Sequence, residues 1–417
     1  MKSIYQDFDI VIIGGGPAGM MAGISAKNSK NKVCILEKNN SLGKKLLLTG
    51  KGRCNLTTSK EISEIVDAFG KKGKFLYGAL TRFSNQKLIL FFEKRGVKLK
   101  TERGDRVFPE DDKAISILNC LKNELKEKNV KTYFNFNVIK VDIENNLFII
   151  TSKLKLISAK KLIIATGGKS YPQTGSTGAG YKFAKELGHK TIKPTPALVS
   201  LIVLNKNLNS LAGLSLKNVN ICFWAKNKIF SKEFGEMLFT HQGISGPIVL
   251  KSSKKVYEQL NKGNKVLAQI DLKPKLNKDV LKKRIYREIQ KAPKKEYQSL
   301  LKTLLPRLLI SYVLKITEID KHQKNADLTK IQIDCLINFL KNFNFEINET
   351  SPLKTAIVTS GGVDIKEINP KNMQSKIVPN LFFSGEIISL DGPTGGFNLQ
   401  KAFSTGWVAG KFAAILN

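Results

Sequence analysis

Dithiols are missing from this 417-residue chain. Its five cysteines, Cys34, Cys54, Cys120, Cys222 and Cys335, are scattered and form no CxxC. No adjacent dithiol is therefore available to pass electrons to a protein disulfide, and the pattern suits a reducing cytoplasm, the expected location. Histidine is scarcer still, with His189, His241 and His322 the full set. No His/Cys/Asp cluster has metal-ligand spacing, so no metal is expected. Long apolar runs are absent too. The nearest candidate, "IVIIGGGPAGMMAGISA", is broken by five glycines and a proline and does not read as a membrane span. The opening "MKSIYQDFDI" places an acid where a signal peptide needs its apolar core.

Acidic residues are short as well. Against 69 Lys+Arg there are 34 Asp+Glu, a net charge of +35. An AT-rich genome would enrich lysine, but such a bias usually raises glutamate with it, which has not happened here. The excess points to a polyanionic partner, RNA first among them, because phosphate neutralisation uses surplus cations of this kind.

The chain is too long for one ordinary core, so two or three domains are expected. Asp9 to Ile13 is a short, β-branched apolar run, the pattern of a buried parallel strand. "GGGPAG" and an Ala/Gly/Met-rich helix to about Lys27 follow, then a second such strand in "KVCILEK", ending at Glu37. "KKLIIATGG" and "LFFSGE" supply two more buried strands running into glycines. Between about Pro194 and Thr355 the character changes. "ALVSLIVLN", "VNICFWAKNKIF" and "KVLAQIDLKP" alternate like antiparallel strands, while "DVLKKRIYREIQK" and "QSLLKTLLPRLLISYVLK" read as helical. The expectation is a cofactor domain split into 1–193 and 356–417. It would hold an inserted β domain at 194–275, completed by about 345–355, and an inserted helical domain at 276–344.

Gly14-x-Gly16-x-x-Gly19 follows a strand and opens a helix. Gly14 permits a tight turn, Gly16 lets the backbone approach a diphosphate, and Gly19 lets helix and strand pack closely. The diphosphate would rest on the helix N-terminus, and Glu37 would accept hydrogen bonds from a ribose. An acid at that place suits the unphosphorylated ribose of FAD better than NADPH. The C-terminal "NLFFSGEIISLDGPTGGFNLQKAFSTGWVAGKFAA" adds a second strand–glycine loop–helix. It either reaches the far end of a long dinucleotide such as FAD or is an unrelated packing corner. No motif for covalent flavin attachment stands out.

Six stretches carry a resemblance: "GGGPAGMMA", "LGKKLLLTGKGRCNLTT", "ATGGKSYPQTGSTGAGY", "LFTHQGISGPIVL", "TSGGVDIKEINPKNMQSKIVPNLFFSGE" and "DGPTGGFNLQKAFSTGWVAG". In this order, from about residue 8 to the C-terminus, the chain resembles the bacterial NAD(P)/FAD-dependent oxidoreductases, the aminoacetone-oxidase-like FAD enzymes. The resemblance implies an α/β fold: a Rossmann-like, glutathione-reductase-type FAD-binding domain with inserted β-barrel-like and helical domains. It also implies reduction of activated C=C bonds, with family members linked to bile-acid enones and to uridine in ribosomal RNA. NAD(P)H would visit the flavin face transiently, as no second GxGxxG is present. The competing enzyme class is an oxidase that takes an amine or amino ketone as donor and O₂ as acceptor. An RNA-binding flavoprotein without turnover is the non-enzymatic alternative.

The expected cofactor-binding set is Gly14, Gly16, Pro17, Ala18, Gly19, Glu37, Lys45, Gly52, Arg53, Cys54, Asn55, Thr166, Gly167, Gly168, Gly385, Glu386, Asp391, Gly395, Gly396, Phe397 and Asn398. In "GKGRCN" the glycines would let the backbone lie along the cofactor, with Arg53 and Asn55 donating to flavin oxygens or to substrate. Cys54 would be chiefly a small residue tolerant of burial, the alternative being a redox thiol. His241, between an apolar strand and Gly243, is the candidate proton donor or substrate-orienting group, the alternative being a structural histidine. With His241, Arg53 and Asn55 make up the catalytic candidates. His189 and His322, in polar, helix-like contexts, are expected at the surface. From Asn261 to Lys330 there are 18 Lys/Arg against 7 Asp/Glu. Lys282, Lys283, Arg284 and Arg287 on one helix are candidates for an RNA contact, or else a solvated face.

Overall fold

The computed structural model describes residues 4–153 and 155–415. They divide into two compact units: 1–197 with 353–417, and Leu198–Pro352.

The first unit is built on a seven-stranded sheet. Ile4–Ile13 lies between Val33–Leu36 and Leu156–Ile164, parallel to both, with Ile12 opposite Ile35 on one side and Ile163 on the other. Lys131–Tyr133 extends the sheet beyond Val33–Leu36 in the same sense. Leu156–Ile164 has two partners along its length. Its first half pairs antiparallel with Leu147–Thr151, which continues to Lys140–Glu144, and its last three residues pair parallel with Leu381–Phe383. The parallel strands are apolar on both faces because helices cover both. Val11, Ile12, Ile35, Leu162, Ile163 and Phe382 are buried. Helix Pro17–Ala26 packs on the C-terminal helix Phe397–Ile415 closely enough that a Cβ on Gly406 would stand 2.3 Å from the Ala18 carbonyl oxygen. A small antiparallel sheet, Thr57–Thr58 with Arg106–Pro109 and Leu99–Glu102, lies outside the sequence expectations.

The second unit is a closed antiparallel barrel: Leu201–Val203, Gly243–Ser245, Lys228–Thr240, Ser215–Ala225, Val266–Asp271 and Phe343–Thr350. Leu201 closes it, facing Ile244 on one side and Thr350 on the other. The long hairpin turns at Lys226 and Asn227, both with positive φ (50° and 59°), the two-residue geometry that matches strand twist. Helices Lys278–Lys291, Tyr297–Leu304, Arg307–Thr317 and Lys330–Lys341 lie in the chain between the barrel strands Val266–Asp271 and Phe343–Thr350. The residues 276–344, expected as a domain of their own, share one core with the barrel: Leu281, Ile285, Leu336 and Leu340 cluster with Ile270, Phe343 and Phe345. "QSLLKTLLPRLLISYVLK" is two helices because Leu305 is extended (φ −134°, ψ 148°), the conformation that a following proline imposes.

The unit boundary also falls inside the expected one. Thr191–Ala197 pairs antiparallel with Val358–Val363 and so belongs with the sheet unit. Among the described residues no helix is long and apolar enough to cross a membrane.

Candidate functional site

Three glycine-rich loops leave the C-terminal ends of neighbouring parallel strands in the first unit: residues 14–16 after Ile4–Ile13, 165–168 after Leu156–Ile164, and 384–386 after Leu381–Phe383. Ligands of open α/β sheets bind at such ends.

The first loop is shaped by contacts that only glycine allows. Gly14 has φ +107°, and a Cβ there would lie 2.6 Å from the Ala165 carbonyl oxygen. At Gly19 a Cβ would lie 1.9 Å from the Gly14 oxygen. Gly16 differs: its backbone is extended (φ −79°, ψ −177°), and a Cβ would meet nothing within 4 Å. Its lack of a side chain is not required by the protein's own packing. It leaves space in front of a helix whose first residue, Pro17, has no N–H and whose next amides, Ala18 and Gly19, lack helical acceptors. That is a cradle for a diphosphate.

Glu37 is buried at 7 % exposure. One carboxylate oxygen accepts from the Gly15 amide at 2.8 Å, and the other accepts from the Asn39 amide at 2.9 Å and the Asn39 side chain at 2.6 Å. A carboxylate has about four acceptor positions, so one remains for a ribose hydroxyl. The cradle and the held carboxylate fit the diphosphate and the ribose of an ADP moiety.

The third loop meets the first and second around a charged pair. Lys45 Nζ donates to Glu386 Oε2 and to Ser170 Oγ, both at 2.7 Å. Glu386 Oε1 accepts from the Thr359 amide at 2.9 Å and from Ser170 Oγ at 3.2 Å. Burial alone would raise this carboxyl, but Lys45, the Thr359 amide and Lys401 hold it below the usual glutamate range. Lys45 therefore acts first on Glu386, where a direct contact to the cofactor was expected. Gly385 places its amide on Thr405 Oγ1 at 2.9 Å, next to Ala18. Thr166 Oγ1 is buried with no hydrogen-bond partner among the described residues, and Gly167 and Gly168 back onto Ser176 and Thr359.

Residues 391–398 form the last wall. Asn398 braces the loop, accepting from the Gly392 amide at 2.9 Å and donating to the Gly392 and Pro393 carbonyls at 2.8 and 3.1 Å. Asp391 accepts from Ser360 Oγ at 2.7 Å. Gly395 and Gly396 both take positive φ, and a Cβ on Gly396 would lie 2.4 Å from the Thr57 backbone. Phe397 packs edge-on to Phe69, their centroids 6.5 Å apart.

The "GKGRCN" loop reaches this wall in an unexpected way. Asn55 ties two loops together, donating to the Thr57 carbonyl (3.1 Å) and accepting from the Gly396 amide (3.2 Å). Arg53, expected to donate to flavin or substrate, is instead ion-paired with Glu102 and Asp112, its guanidinium 4.3 Å from the Phe108 ring centroid. The acids sit on or beside the Leu99–Glu102/Arg106–Pro109 hairpin, which the sequence did not announce. Both side chains brace the loop. Gly52, with φ +89°, faces open space. Cys54 is fully buried with φ +61°, and burial pushes its thiol up to about 12. Burial and a raised thiol are the surroundings of a packing residue, and they work against formation of the thiolate that redox exchange needs.

Sequence reasoning missed a buried charged group here. Lys401, 1 % exposed, lies one turn into Phe397–Ile415 and donates to the Leu390 carbonyl. Burial pulls its ammonium down to about 8, against the opposing fields of Glu386 and Asp391. A single lysine amid the small and apolar residues of "FNLQKAFSTGWVAG" was the available signal. Gln400, also buried, accepts from Thr57 Oγ1 at 2.6 Å and fixes the helix to the strand Thr57–Thr58.

Two histidines correct or extend the expectations. His189 is a core residue at 3 % exposure, 2.8 Å from Ser375 Oγ and edge-on to Phe383. His322 is exposed and pairs with Glu296 at 2.8 Å. His241 belongs to the barrel unit, exposed at the turn between Lys228–Thr240 and Gly243–Ser245. Lys282, Lys283, Arg284 and Arg287 lie on Lys278–Lys291 of that unit, with Lys282 paired to Asp334 at 2.7 Å.

Comparison with known proteins agrees with this geometry. The family model described as the HI0933-like protein Rossmann domain matches residues 8–412. The chain is 32% identical over 410 residues to the 3-dehydro-bile acid delta(4,6)-reductase of Clostridium scindens, covering 97% of this chain and 98% of that one. It is 31% identical over 405 residues to the ribosomal RNA dihydrouridine synthase of Haemophilus influenzae, covering 95% and 96%. Among solved structures, the 3-ketosteroid-delta4-(5alpha)-dehydrogenase of Rhodococcus jostii RHA1 aligns with a TM-score of 0.55 at 14% identity, covering 99% of this chain and 98% of that one. At that identity the likeness is one of fold.

Proposed function

The chain belongs to the HI0933-like Rossmann family of FAD-dependent oxidoreductases, and from that premise we propose that it reduces the C5=C6 bond of a uridine in ribosomal RNA to dihydrouridine. Non-covalently bound FAD, reduced in turn by NAD(P)H, would supply the hydride at one carbon while a proton is added at the other. The observation that carries the RNA reading is the net charge of +35, far beyond what a small neutral substrate needs. A relative of 31% identity is named for this reaction.

In this reading the chain's residues have distinct tasks. Gly16 and the amides of Ala18 and Gly19 hold the diphosphate, and Glu37 holds the ribose. Lys45, Glu386, Asn55 and Asn398 keep the glycine loops in place, so the hydride-transferring ring meets a fixed wall. His241 protonates or orients the substrate. Lys283, Arg284 and Arg287, with Lys282, meet RNA phosphates. The target base must leave its stack, which favours single-stranded or not-yet-folded RNA.

A second reading is a small-molecule enone reductase, favoured by the 32% identity to a bile-acid reductase. Deleting the gene and mapping dihydrouridine in ribosomal RNA by mass spectrometry decides between them. Loss of one modified position supports the RNA substrate; an unchanged map leaves the enone reductase.

A further inference from the structure

The segment Phe69–Lys87 lies in the same unit as the FAD loops. It holds five basic residues, Lys71, Lys72, Lys74, Arg82 and Lys87, and no acid. Lys71, Lys72 and Lys74 are exposed on the turn Gly70–Leu76, and none of the three has an ion-pair partner among the described residues. Tyr77 follows directly, with 58 % of its surface exposed. Elsewhere on the surface many cations are already matched: Lys60 with Glu64, Lys100 with Asp112, Lys282 with Asp334. Uncompensated lysines beside an exposed ring are the composition of a surface that tracks a phosphate backbone and stacks a base.

The place of this segment gives the composition a direction. The Phe69 ring lies under Gly392, where a Cβ would be 2.7 Å away, and packs on Phe397. Lys72 Nζ reaches the Ser389 carbonyl at 3.5 Å. The Phe83 carbonyl accepts from Ser404 Oγ at 2.6 Å and from Gln400 Nε2 at 3.3 Å. The segment is thus fastened at both ends to the Ser389–Phe397 wall and the start of the last helix, and its lysines stand at the rim of the cofactor site. Gly78 rests against the Pro370 carbonyl, which brings exposed Lys371 to the same edge.

We infer that Lys71, Lys72, Lys74 and Tyr77 form a docking surface for single-stranded RNA at the rim of the FAD site, gripping the strand beside the nucleotide to be reduced. This rests on the RNA reading above and adds a second contact surface to the helix Lys278–Lys291. The lysines neutralise phosphates, and Tyr77 stacks a neighbouring base. A membrane surface fits less well, because the aliphatic side chains nearest Tyr77 in the chain, Leu76 and Leu80, are buried and cannot insert.

The test uses the full-length, flavin-loaded protein and a labelled oligouridine of about 20 nucleotides, titrated across a salt series. Replacing all three lysines (K71Q, K72Q, K74Q) should weaken binding at least about tenfold at low salt. It should also reduce the slope of log affinity against log salt by about 2, near the 0.7 per phosphate of single strands. Tyr77→Ala should weaken binding about tenfold with an unchanged slope, since stacking displaces no counterions. Flavin absorbance should match the unaltered protein in both, because the segment stays held to the wall by Phe69 and Phe83, and the one Lys72 contact there is long, at 3.5 Å. If the unaltered protein binds with a salt slope and the triple variant retains both affinity and slope, this surface is overturned while the RNA reading stands. If the unaltered protein shows no salt-dependent binding, the RNA reading falls and takes this surface with it. If the triple variant keeps oligouridine affinity but no longer pellets with vesicles of equal parts phosphatidylcholine and phosphatidylserine, the patch serves a lipid surface, and the inference is overturned.

Discussion

Lys45 and Glu386, 341 positions apart in sequence, meet at 2.7 Å with Ser170 touching both. Their side chains retain only 22% and 18% exposure. Lys45→Met would leave a mostly buried carboxylate held by the Thr359 amide, Ser170 and the more distant charge of Lys401. Removing one partner of a fully buried pair costs about 3–5 kcal/mol, and this partly exposed one should cost about 2–3 kcal/mol. Denaturant titration checks the figure. Adding Glu386→Gln to Lys45→Met should recover part of the loss, as it removes the stranded charge.

Gly16 and Gly19, three positions apart, should fail in opposite ways. Gly16→Val places its side chain in open space on an extended backbone, so the apoprotein should melt within a degree or so of the original. FAD affinity should fall about 100-fold or more as the cradle fills. Gly19→Ala drives a Cβ to 1.9 Å from the Gly14 oxygen and should destabilise the apoprotein itself. Thermal melts of the apoproteins with flavin titration separate the two, and equal melts for both variants would contradict the geometry.

His189 predicts an acid limb. Burial, partly opposed by Glu367, lowers its imidazole below 6.5 in the folded chain. The unfolded chain then takes up a proton at a higher pH than the native one, so stability is complete above about 6.5 and declines as pH falls below it. The slope from one group is at most about 1.4 kcal/mol per pH unit. His189→Phe should melt with a flatter profile between pH 7 and 5, and an unchanged profile would show that other groups set that limb.

Lys401 predicts the alkaline counterpart. Its ammonium titrates at about 8 in the folded chain, against 10.5 ordinarily. Between those values the unfolded state holds a proton that the native state has lost, so this residue makes stability rise with pH from about 8 to 10.5. Lys401→Met should abolish that rise and equal or exceed the original stability at pH 7, where the native ammonium is buried and charged. Melting curves of the two proteins from pH 7 to 10.5 provide the comparison.

The strand, tight turn and helix start around Gly14, Gly16 and Gly19 were readable because their constraints are local to one short stretch. The buried strands were readable for the same reason, being apolar on both faces. Long-range pairings left no such trace. Arg53 looked like a free donor because Glu102 and Asp112 lie 49 and 59 residues away. His189 looked superficial in "KELGHKT", since Ser375 and Phe383, which cover it, come from the far side of the insertion. The separate helical domain dissolved because Leu281 and Phe343, distant in sequence, fill the same core.

Thr191–Ala197 and Val358–Val363 run antiparallel until Ala197 stands opposite Val358, so the chain leaves and re-enters the sheet unit at adjacent points. Seen from the sheet, the 198–357 stretch is a very long hairpin loop, and loop length costs little once its ends are clasped. The barrel and its helices, Leu198–Pro352, fill a core of their own. A chain with a short Asn-Gly turn joining Ala197 to Val358 should still fold and turn yellow with FAD, because every loop of the cradle lies in the sheet unit.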